Sequence, residues 1–249
     1  MRVAGIIPAR YGSSRFPGKP LALIHGKSMI RRVYEQCTQA TLLSEVVVAT
    51  DDSRIFDHVS DFGGRVVMTS ADHPSGTDRC AEASGLLETE PDVVINIQGD
   101  EPYIQPVQID LLAAAFHNKE CTIATLVRTA EVNDDLNNPN LVKVARSSVT
   151  GKALYFSRNL IPHIKDERTL QDAPVFTHIG IYGYSKNTLN ELTRLTETPL
   201  ELAERLEQLR WLENGFTIHT LISDQQNHAV DHPEDIPRLE ALFPKDLSA

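Results

Sequence analysis

Short apolar runs alternate, along the first half of the chain, with segments whose apolar residues recur at helical spacing. The runs are rich in β-branched residues and predict buried strands at Val3–Ala9, 45–50, 64–70, 92–100 and 122–127. The segments between them predict helices at 28–40, with Ser28 as N-cap, and at 53–62, 77–87 and 107–117. This alternation is typical of a Rossmann-like α/β fold with a doubly wound, mostly parallel sheet.

The pattern changes after about residue 129. Segments 141–148 and 152–158 flank Val149, Thr150 and Gly151 and predict a β-hairpin, and an aromatic-rich strand follows at 176–185. We therefore expect a smaller β-rich lobe at 129–198, inserted in a single domain that spans 1–249. A long amphipathic stretch predicts one helix over 199–215 that ends at Gly215, before a strand at 217–223 and a last helix at 232–243.

Composition narrows the class of protein. The 249 residues carry a net charge of −10, which argues against nucleic acid as a partner because such binding requires many cations. The three cysteines are far apart, so we expect free thiols and neither disulfides nor a zinc site. We find no signal-peptide pattern at the start and no apolar run of about 18 residues, so we expect a cytoplasmic protein without a membrane segment.

Positive charge is concentrated at the start of the chain. Residues 1–34 hold seven of the 24 lysines and arginines and none of the 34 acidic residues. Arg10, Arg15 and Lys19 lie in a glycine-containing loop directly after the first strand, where parallel sheets bind phosphate groups. The loop is no Walker A motif, because Pro20 follows the lysine, and no GxGxxG occurs. We favour a polyanion site over a merely solvated basic loop.

The stretch "IIPARYGSSRFPGKPL" (6–21) resembles the opening of the 3-deoxy-manno-octulosonate cytidylyltransferases, the CMP-Kdo synthetases of bacteria with lipopolysaccharide. Further matching segments follow in order nearly to the end of the chain: "DHPSGTDR" (72–79), "INIQGDEP" (95–102), "NPNLVKV" (138–144), "ALYFSR" (153–158), "HIGIYGY" (178–184), "LEQLRWLE" (206–213) and "VDHPED" (230–235). The resemblance implies a nucleotide-diphospho-sugar transferase fold, a homodimer, and transfer of CMP from CTP to the acid sugar Kdo with release of pyrophosphate and with Mg²⁺.

The resemblance also implies which residues hold CTP. Arg15 and Lys19 would neutralise the leaving pyrophosphate as catalytic residues, with Asp100 as the third. The other CTP-binding residues would be Pro8, Ala9, Arg10, Ser14, Arg79 and Gln98. Gln98 would read the cytosine edge with its amide, although an amide at the end of an apolar strand needs some partner in any case. For Arg79, an ordinary arginine on the helix surface is an equal alternative.

Asp100 and Asp231 are the metal ligands that the resemblance implies. Carboxylates suit a hard Mg²⁺ ion that is shared with phosphate oxygens. Taken without the family pattern, Asp231 reads more simply as the N-cap of the following helix. With the family pattern we favour the metal.

For the sugar, the resemblance implies Arg158, His178, Tyr182, Glu207 and Gln208, and it gives the lobe at 129–198 the roles of sugar binding and dimerisation. His178 and Tyr182 are four residues apart in one strand, so we expect them on one face and roughly 13 Å apart, at about 3.3 Å per residue. Arg158 would pair with the sugar carboxylate. Glu207 and Gln208 would hold sugar hydroxyls, although plain surface residues would show the same pattern.

Three alternatives stay open at this point. The sugar could be another acid sugar, such as 8-amino-Kdo or a sialic acid. A glycosyltransferase of similar fold would usually carry a DxD motif, whereas this chain has "GDEP". A module that binds CTP without turnover would have no need of a second metal carboxylate, which argues for the enzyme.

Overall fold

The computed structural model describes residues 1–12, 15–131, 133–165 and 174–244. The chain divides into two units, one formed by Met1–Ala113 with Asn227–Ala249 and the other by Ala114–Gln226. The second unit extends beyond the predicted lobe at 129–198 on both sides. The role of that lobe in sugar binding and dimerisation stays a prediction.

The first unit contains a parallel sheet. Its strands are β1 (Val3–Ala9), β4 (Glu45–Thr50), β5 (Val66–Met68) and β6 (Val93–Asn96), and a short hairpin is formed by β2 (Leu23–Ile24) and β3 (Lys27–Ser28). The sheet order is β6–β1–β4–β5 with every neighbour parallel. All of β4 and nearly all of β1 are buried, as β-branched runs covered on both faces should be. The expected parallel α/β fold is confirmed.

Helices of the first unit follow its strands. They are α1 (Met29–Cys37), α2 (Ser53–Asp61), α3 (Gly76–Gly85), α4 (Pro106–Ala115) and the C-terminal α8 (Asp235–Leu242). Three begin at side-chain caps, in which Ser28, Asp52 and Ser75 accept hydrogen bonds from backbone N–H groups of the first turn. The predicted cap at Ser28 is confirmed. These caps set where each helix begins, and α3 begins beside the cavity described below.

The segment after Asn227 packs against the start of the chain. Val230 and Leu239 are buried with Ile24 and Met29 in one apolar cluster, and partly buried residues that include Phe16 and Tyr103 surround it. The rings of Tyr103 and Phe243 stack with their centroids 3.9 Å apart. This packing brings residue 231 back to the unit that contains the basic loop.

The second unit is of mixed strand direction. Its strands are β7 (Ile123–Thr129), β8 (Lys143–Arg146), β9 (Ala153–Ser157), β10 (Phe176–Ser185) and β11 (His219–Ile222). Strand β7 pairs antiparallel with β10 and parallel with β11. Strand β8 pairs antiparallel with both β10 and β9, which confirms the predicted hairpin.

The single helix predicted over 199–215 is wrong. The helices of this part of the chain are α5 (Lys186–Leu192), α6 (Pro199–Glu204) and α7 (Gln208–Glu213). Arg205 ends α6 in the left-handed conformation, with φ 53°. The Nε and Nη2 of Arg158 donate to the carbonyl oxygens of Glu204 and Arg205, which lie at the break. Arg158 thus donates hydrogen bonds to two carbonyl groups that would bond to the next helical turn if the helix continued.

The end of the predicted helix is placed correctly. Gly215 has φ 85°, and the next residue, Phe216, donates its N–H to the carbonyl of Trp211, as glycine-terminated helices do. The three cysteines are free and buried, as expected. Among the described residues, no helix has the length and apolar character needed to cross a membrane.

Candidate active site

The carboxyl ends of β1 and β6 lie side by side because these strands are parallel neighbours. A Cβ atom placed on Gly99 would lie 3.0 Å from the carbonyl oxygen of Pro8, closer than nine in ten real contacts of this kind. Glycine at 99 therefore lets the two strand ends approach each other closely. In doubly wound folds, ligands bind at this edge of the parallel sheet.

A cavity of about 240 Å³ opens at this edge. Its lining consists of Pro8, Ala9, Arg10, Arg15, Lys19, Pro20, His73, Pro74, Ser75, Gly76, Arg79, Gln98, Gly99 and Asp100. The lining contains every residue predicted to bind CTP except Ser14, which lies outside the described residues. The structure thus brings together side chains from four separate parts of the sequence.

The cations of residues 1–34 do not form one basic face. Arg2 pairs with Glu45, and Lys27 and Arg31 both pair with Glu35. Arg32 donates to the carbonyl oxygen of Ile24. Three of the seven line the cavity: Arg10, Arg15 and Lys19. The lack of acidic residues in this segment therefore has no single cause, and only the basic loop belongs to the site.

Two ion pairs join the basic loop to the predicted metal ligands. Lys19 Nζ lies 2.6 Å from Asp100 Oδ2, and Arg15 Nη2 lies 3.0 Å from Asp231 Oδ1. Lys19 also donates to the carbonyl oxygen of Val230 at 2.9 Å, and the N–H of Val230 donates to the carbonyl oxygen of Asp100. The backbone segments that carry these two aspartates, which are 131 positions apart in sequence, are thereby held next to each other.

Glu101, which the sequence reasoning missed, lies beneath this arrangement. Its carboxyl is buried, and burial raises its pKa to about 7, with further repulsion from Asp100 and Asp231. Asn227 donates its amide N–H to Glu101 Oε2 at 2.8 Å and accepts from Gln108 Nε2 at 2.9 Å. This chain of hydrogen bonds anchors the returning segment to the turn after β6 that carries Asp100. The acidic pair in "GDEP" was the only signal for it in the sequence.

The alternative role of Asp231 as a helix cap is wrong. The helix α8 begins at Asp235, and Glu234 before it makes no side-chain cap hydrogen bond. Instead Asp235 Oδ2 accepts from the backbone N–H groups of Asp231 and His232, each at 2.9 Å. Asp235 therefore shapes the turn, and the Asp231 side chain points to Arg15.

Arg79 is not a helix-surface arginine, so that alternative is also wrong. Its side chain is 5% exposed and Nη1 donates to Thr69 Oγ1 at 2.6 Å. Asp51 Oδ1 lies 3.4 Å from the same nitrogen. Residues at the carboxyl ends of β4 and β5 thus hold the guanidinium beside the cavity. Its remaining N–H groups can serve an anion there.

The segment before α3 forms a wall of the cavity that sequence reasoning did not assign. His73, Pro74, Ser75 and Gly76 line the cavity, and Ser75 Oγ caps α3 by accepting from backbone N–H groups. His73 Nε2 forms a hydrogen bond with Glu82 Oε2, and this contact lowers the pKa of Glu82. The amino end of a helix attracts negative charge. The motif "DHPSGTDR", which resembles the family, was the signal in the sequence that could have identified this wall.

Gln98 reaches the cavity from the end of β6. Its side chain is only partly buried and makes no hydrogen bond to any residue that the structure describes. The expectation that a residue here must find an internal partner is therefore not met within the described part of the chain. An amide offers both a donor and acceptors, which is what reading a base edge requires.

The acidic side chains of this site fit a magnesium ion that also takes ligands from a substrate. Asp100 and Asp231 offer hard oxygen donors, each beside one cation. The described residues contain no group of three or more acidic, histidine or cysteine side chains that could enclose an ion. Mg²⁺ usually keeps waters and binds one or two carboxylates together with phosphate oxygens. This donor set is of that kind.

In the second unit, the predicted separation of His178 and Tyr182 is wrong. Their ring centroids lie 5.2 Å apart instead of roughly 13 Å. The pairing of β10 with β7 is irregular between Ile179 and Tyr182, so the strand does not keep the regular spacing that the estimate assumed. Thr125 Oγ1 donates to the carbonyl oxygen of Ile181 in this bulge and lies 3.0 Å from His178 Nε2.

His178 is neutral in this environment. Burial lowers its pKa to about 3. Because the Thr125 hydroxyl donates its proton to Ile181, it accepts from His178, which places the imidazole proton on Nε2. Nδ1 is then a hydrogen-bond acceptor. The residue can bind a hydroxyl but supplies no positive charge for a carboxylate.

Tyr182 lies in a cluster of aromatic rings. Its ring meets Trp211 edge-on at 5.1 Å and stacks with Tyr184 at 5.9 Å. Burial raises the pKa of its phenol, and the charge of Glu207 adds to the effect. The structure thus places Tyr182 and Glu207 near each other.

Gln208 is buried at the start of α7, so the alternative of a surface residue is wrong for it.

Arg158 is largely engaged by its own unit. Besides the two carbonyls at the helix break, its Nη1 donates to the carbonyl oxygen of Pro139 at 2.9 Å. Lys143 and Glu204 in turn bond its backbone carbonyl and N–H. The guanidinium retains further N–H groups, so its pairing with a sugar carboxylate stays a prediction.

Comparison with known proteins agrees with this geometry. The family model for cytidylyltransferases matches residues 4–221. The chain is 49% identical to the 3-deoxy-manno-octulosonate cytidylyltransferase of Parabacteroides distasonis and 50% identical to that of Phocaeicola vulgatus, with 98% of each chain covered in both cases.

Solved structures give the same result. CMP:2-keto-3-deoxy-manno-octonic acid synthetase complexed with CTP is 40% identical, with a TM-score of 0.89 over 97% of this chain and 98% of that one. The 4-diphosphocytidyl-2C-methyl-D-erythritol synthase of Anaerococcus prevotii, 11% identical over 98% of this chain and 99% of that one with a TM-score of 0.65, shares the fold. The chain belongs to the 3-deoxy-manno-octulosonate cytidylyltransferase family.

Proposed function

We propose that this protein transfers CMP from CTP to 3-deoxy-D-manno-octulosonate (Kdo), giving CMP-Kdo and pyrophosphate. One observation carries the proposal: a single cavity gathers three cations of the basic loop, a carboxylate, and an amide that bonds to none of the described residues, all at the edge of a parallel sheet. These are the groups needed to hold a triphosphate, read a base and bind a metal. The membership of the family supports the choice of both substrates.

The reaction is attack of the anomeric hydroxyl of Kdo on the α-phosphorus of CTP, with pyrophosphate as the leaving group. Such a displacement depends on positioning and on neutralising charge, and it needs no covalent nucleophile. Arg15 and Lys19 supply two positive charges from one loop for the departing pyrophosphate. Arg79 and the amino end of α3, which also line the cavity, add a fixed guanidinium and backbone N–H groups.

Magnesium is part of this proposal. Asp100 and Asp231 would hold the ion, which polarises the α-phosphate and offsets its negative charge. Each ion pair uses one oxygen of its carboxylate, Asp100 Oδ2 or Asp231 Oδ1, so the second oxygen of each aspartate could serve the ion. The two ion pairs keep Lys19 and Arg15 next to the carboxylates that would hold the ion.

The sugar-binding part of the proposal rests on the second unit. His178 offers a neutral acceptor at Nδ1, Glu207 offers a carboxylate, and Gln208 offers an amide. These three suit hydroxyl groups, whereas a cation such as Arg158 suits the sugar carboxylate. This division of roles agrees with the lowered pKa of His178, because a neutral imidazole offers a carboxylate no positive charge.

A homodimer is a further part of the proposal. The β8–β9 hairpin of the second unit exposes apolar side chains, with Leu154 64% and Val149 91% exposed. Exposed apolar residues in one region of a surface are typical of protein contacts. Light scattering of the purified protein tests this, and a monomeric mass across micromolar concentrations would contradict it.

Pyrophosphate release tests the function. The purified protein is incubated with CTP and, separately, with Kdo, 8-amino-Kdo or sialic acid, with and without Mg²⁺. We expect rapid release with Kdo and Mg²⁺ and little without the metal. Faster release with another acid sugar would reassign the substrate. CTP binding without release in any arm would identify a binding module instead of an enzyme.

A further inference from the structure

The two ends of the basic loop contact each other, and one end packs on an aromatic ring of the other. The N–H of Gly18 donates to the carbonyl oxygen of Tyr11 at 2.9 Å. Gly18 has φ 72°, and a Cβ atom there would lie 3.1 Å from the Tyr11 ring. The backbone of Gly18 thus packs against Tyr11 in a way that a larger residue would prevent. Arg10 precedes this ring and Lys19 follows this glycine, so the closure sets where both cations leave the loop.

A guanidinium from another element covers the same ring. Arg54 Cζ lies 3.3 Å from the centroid of Tyr11, a close cation–π contact. Asp52 accepts from Arg54 Nε at 2.9 Å and from Nη2 at 2.6 Å, the bidentate geometry that fixes a guanidinium plane. Asp52 Oδ1 also accepts the backbone N–H of Arg54 as the cap of α2. The arginine is therefore fixed to the helix end.

We propose that Arg54 is a positioning residue for nucleotide binding, which acts through Tyr11 on the basic loop. Arg54 is not among the residues that line the cavity. The role rests on the proposed function, because the loop is taken to bind the triphosphate of CTP. A loop held in its binding conformation loses less entropy when the phosphates bind. Asp52, Arg54 and Tyr11 form the connection from α2 to the loop.

Direct binding of CTP in the presence of Mg²⁺, by calorimetry, tests the inference. We expect Arg54→Ala to raise the Kd for CTP about 5-fold, the effect of losing one exposed cation–π contact. Tyr11→Leu should have the same effect, because it removes the ring and leaves every charge in place. The double variant should bind no worse than either single variant, since both act through one contact.

Two further variants separate positioning from charge. Arg54→Lys keeps the charge but loses the bidentate contact with Asp52, so positioning predicts a Kd between those of wild type and Arg54→Ala. Asp52→Asn keeps a good helix cap while weakening the hold on the guanidinium, and should also raise Kd. If Arg54 acted only by its charge, Arg54→Lys and Tyr11→Leu would both bind CTP as wild type does, and the inference would be overturned.

The matched control is Arg31→Ala. Arg31 is also an exposed arginine over an aromatic ring and is also paired with a carboxylate, but its ring is Phe62, which is not part of the basic loop. Its removal should leave Kd unchanged. The KM for Kdo and the melting temperature of Arg54→Ala should also match wild type, whereas a general loss of structure would change both. Wild-type protein that fails to bind CTP would overturn the proposed function, while wild-type binding that survives Arg54→Ala and Tyr11→Leu overturns only this inference.

Discussion

Lys19 Nζ lies 2.6 Å from Asp100 Oδ2, so the cation predicted to hold the leaving pyrophosphate is the ion-pair partner of the carboxylate predicted to hold magnesium. Both side chains are less than one third exposed, which makes the pair less screened by solvent than one at the surface. Substrate phosphates would compete with Asp100 for Lys19, and a metal ion would compete with Lys19 for Asp100. Lys19 and Asp100 are therefore expected to behave as coupled residues in kinetics.

Lys19→Ala should lower turnover by about 100-fold, because it removes one charge that stabilises the leaving group in the transition state. The measurement is steady-state pyrophosphate release at saturating Kdo. Lys27→Ala is the control, since Lys27 is also a lysine paired with a carboxylate but does not line the cavity. Equal turnover of Lys19→Ala and wild type would mean that the loop is a solvated surface.

Asp100→Asn and Asp231→Asn should each remove most turnover and shift the magnesium dependence to higher concentration, while CTP binding falls less. Both act on one ion, so the double variant should lose much less than the product of the two single losses. Asp57→Asn, an exposed carboxylate on α2, is the control. Full activity of Asp231→Asn at low magnesium concentration would remove Asp231 from the metal site.

Gln98→Ala should lower kcat/KM for CTP about 10-fold, the loss expected for one hydrogen bond to a base. Wild type should strongly prefer CTP to ATP and GTP, and the variant should prefer it less. Competition assays with mixed nucleotides measure both effects. Gln39→Ala, an exposed amide at the end of α1, should change neither. Equal wild-type turnover with a purine triphosphate would contradict the role of Gln98 and the proposed reaction.

His178→Ala should raise the KM for Kdo at least 10-fold and leave the KM for CTP nearly unchanged, because His178 belongs to the second unit. Arg158→Ala is a less clean test of sugar binding. It removes three hydrogen bonds to backbone carbonyls, two of them at the helix break, and so should also lower the melting temperature. A change in the KM for CTP with His178→Ala would contradict the assignment of His178 to the sugar site.

His178 should also make stability depend on pH. Its pKa is about 3 in the folded protein, below the ordinary value of 6.5, so the unfolded chain binds more protons between these values. Stability is therefore greatest above pH 6.5 and falls as the pH drops toward 3, at most by about 1.4 kcal/mol per pH unit from this group.

Denaturant unfolding of wild type and His178→Gln between pH 5 and pH 7 measures this effect. The variant should lose less free energy of unfolding than wild type over that range. His117→Gln, at an exposed position, is the control and should follow wild type. Identical pH dependence of wild type and His178→Gln would show that the histidine is not buried as a neutral group.

Local sequence was sufficient for the parallel half of the fold. The strands at Val3–Ala9 and Glu45–Thr50 are short apolar runs that are almost fully buried, and Ser28 and Gly215 act through hydrogen bonds to nearby backbone. These features depend on neighbours within a few residues. The order of the motifs was enough to assign the family, and the position after the first strand was enough to place Arg15 and Lys19 at a cavity.

What required the tertiary structure is contact between distant residues. The helix break at Arg205 has no glycine or proline to mark it, and the carbonyls beside it bond to Arg158, 46 and 47 positions earlier in the chain. The burial of Arg79 depends on Thr69 and Asp51, and the position of Asp231 beside Arg15 depends on the packing of Val230.

The same reason explains the rings of His178 and Tyr182. Regular strand spacing sets the distance between their Cα atoms, but the bulge in β10 and its contact with Thr125 bring the rings together. The sequence by itself determined the elements, the family and most of the residues at the cavity. Which of those residues contact each other, and with what protonation, was decided by burial and by partners far away in the chain, because local propensity carries no information about either.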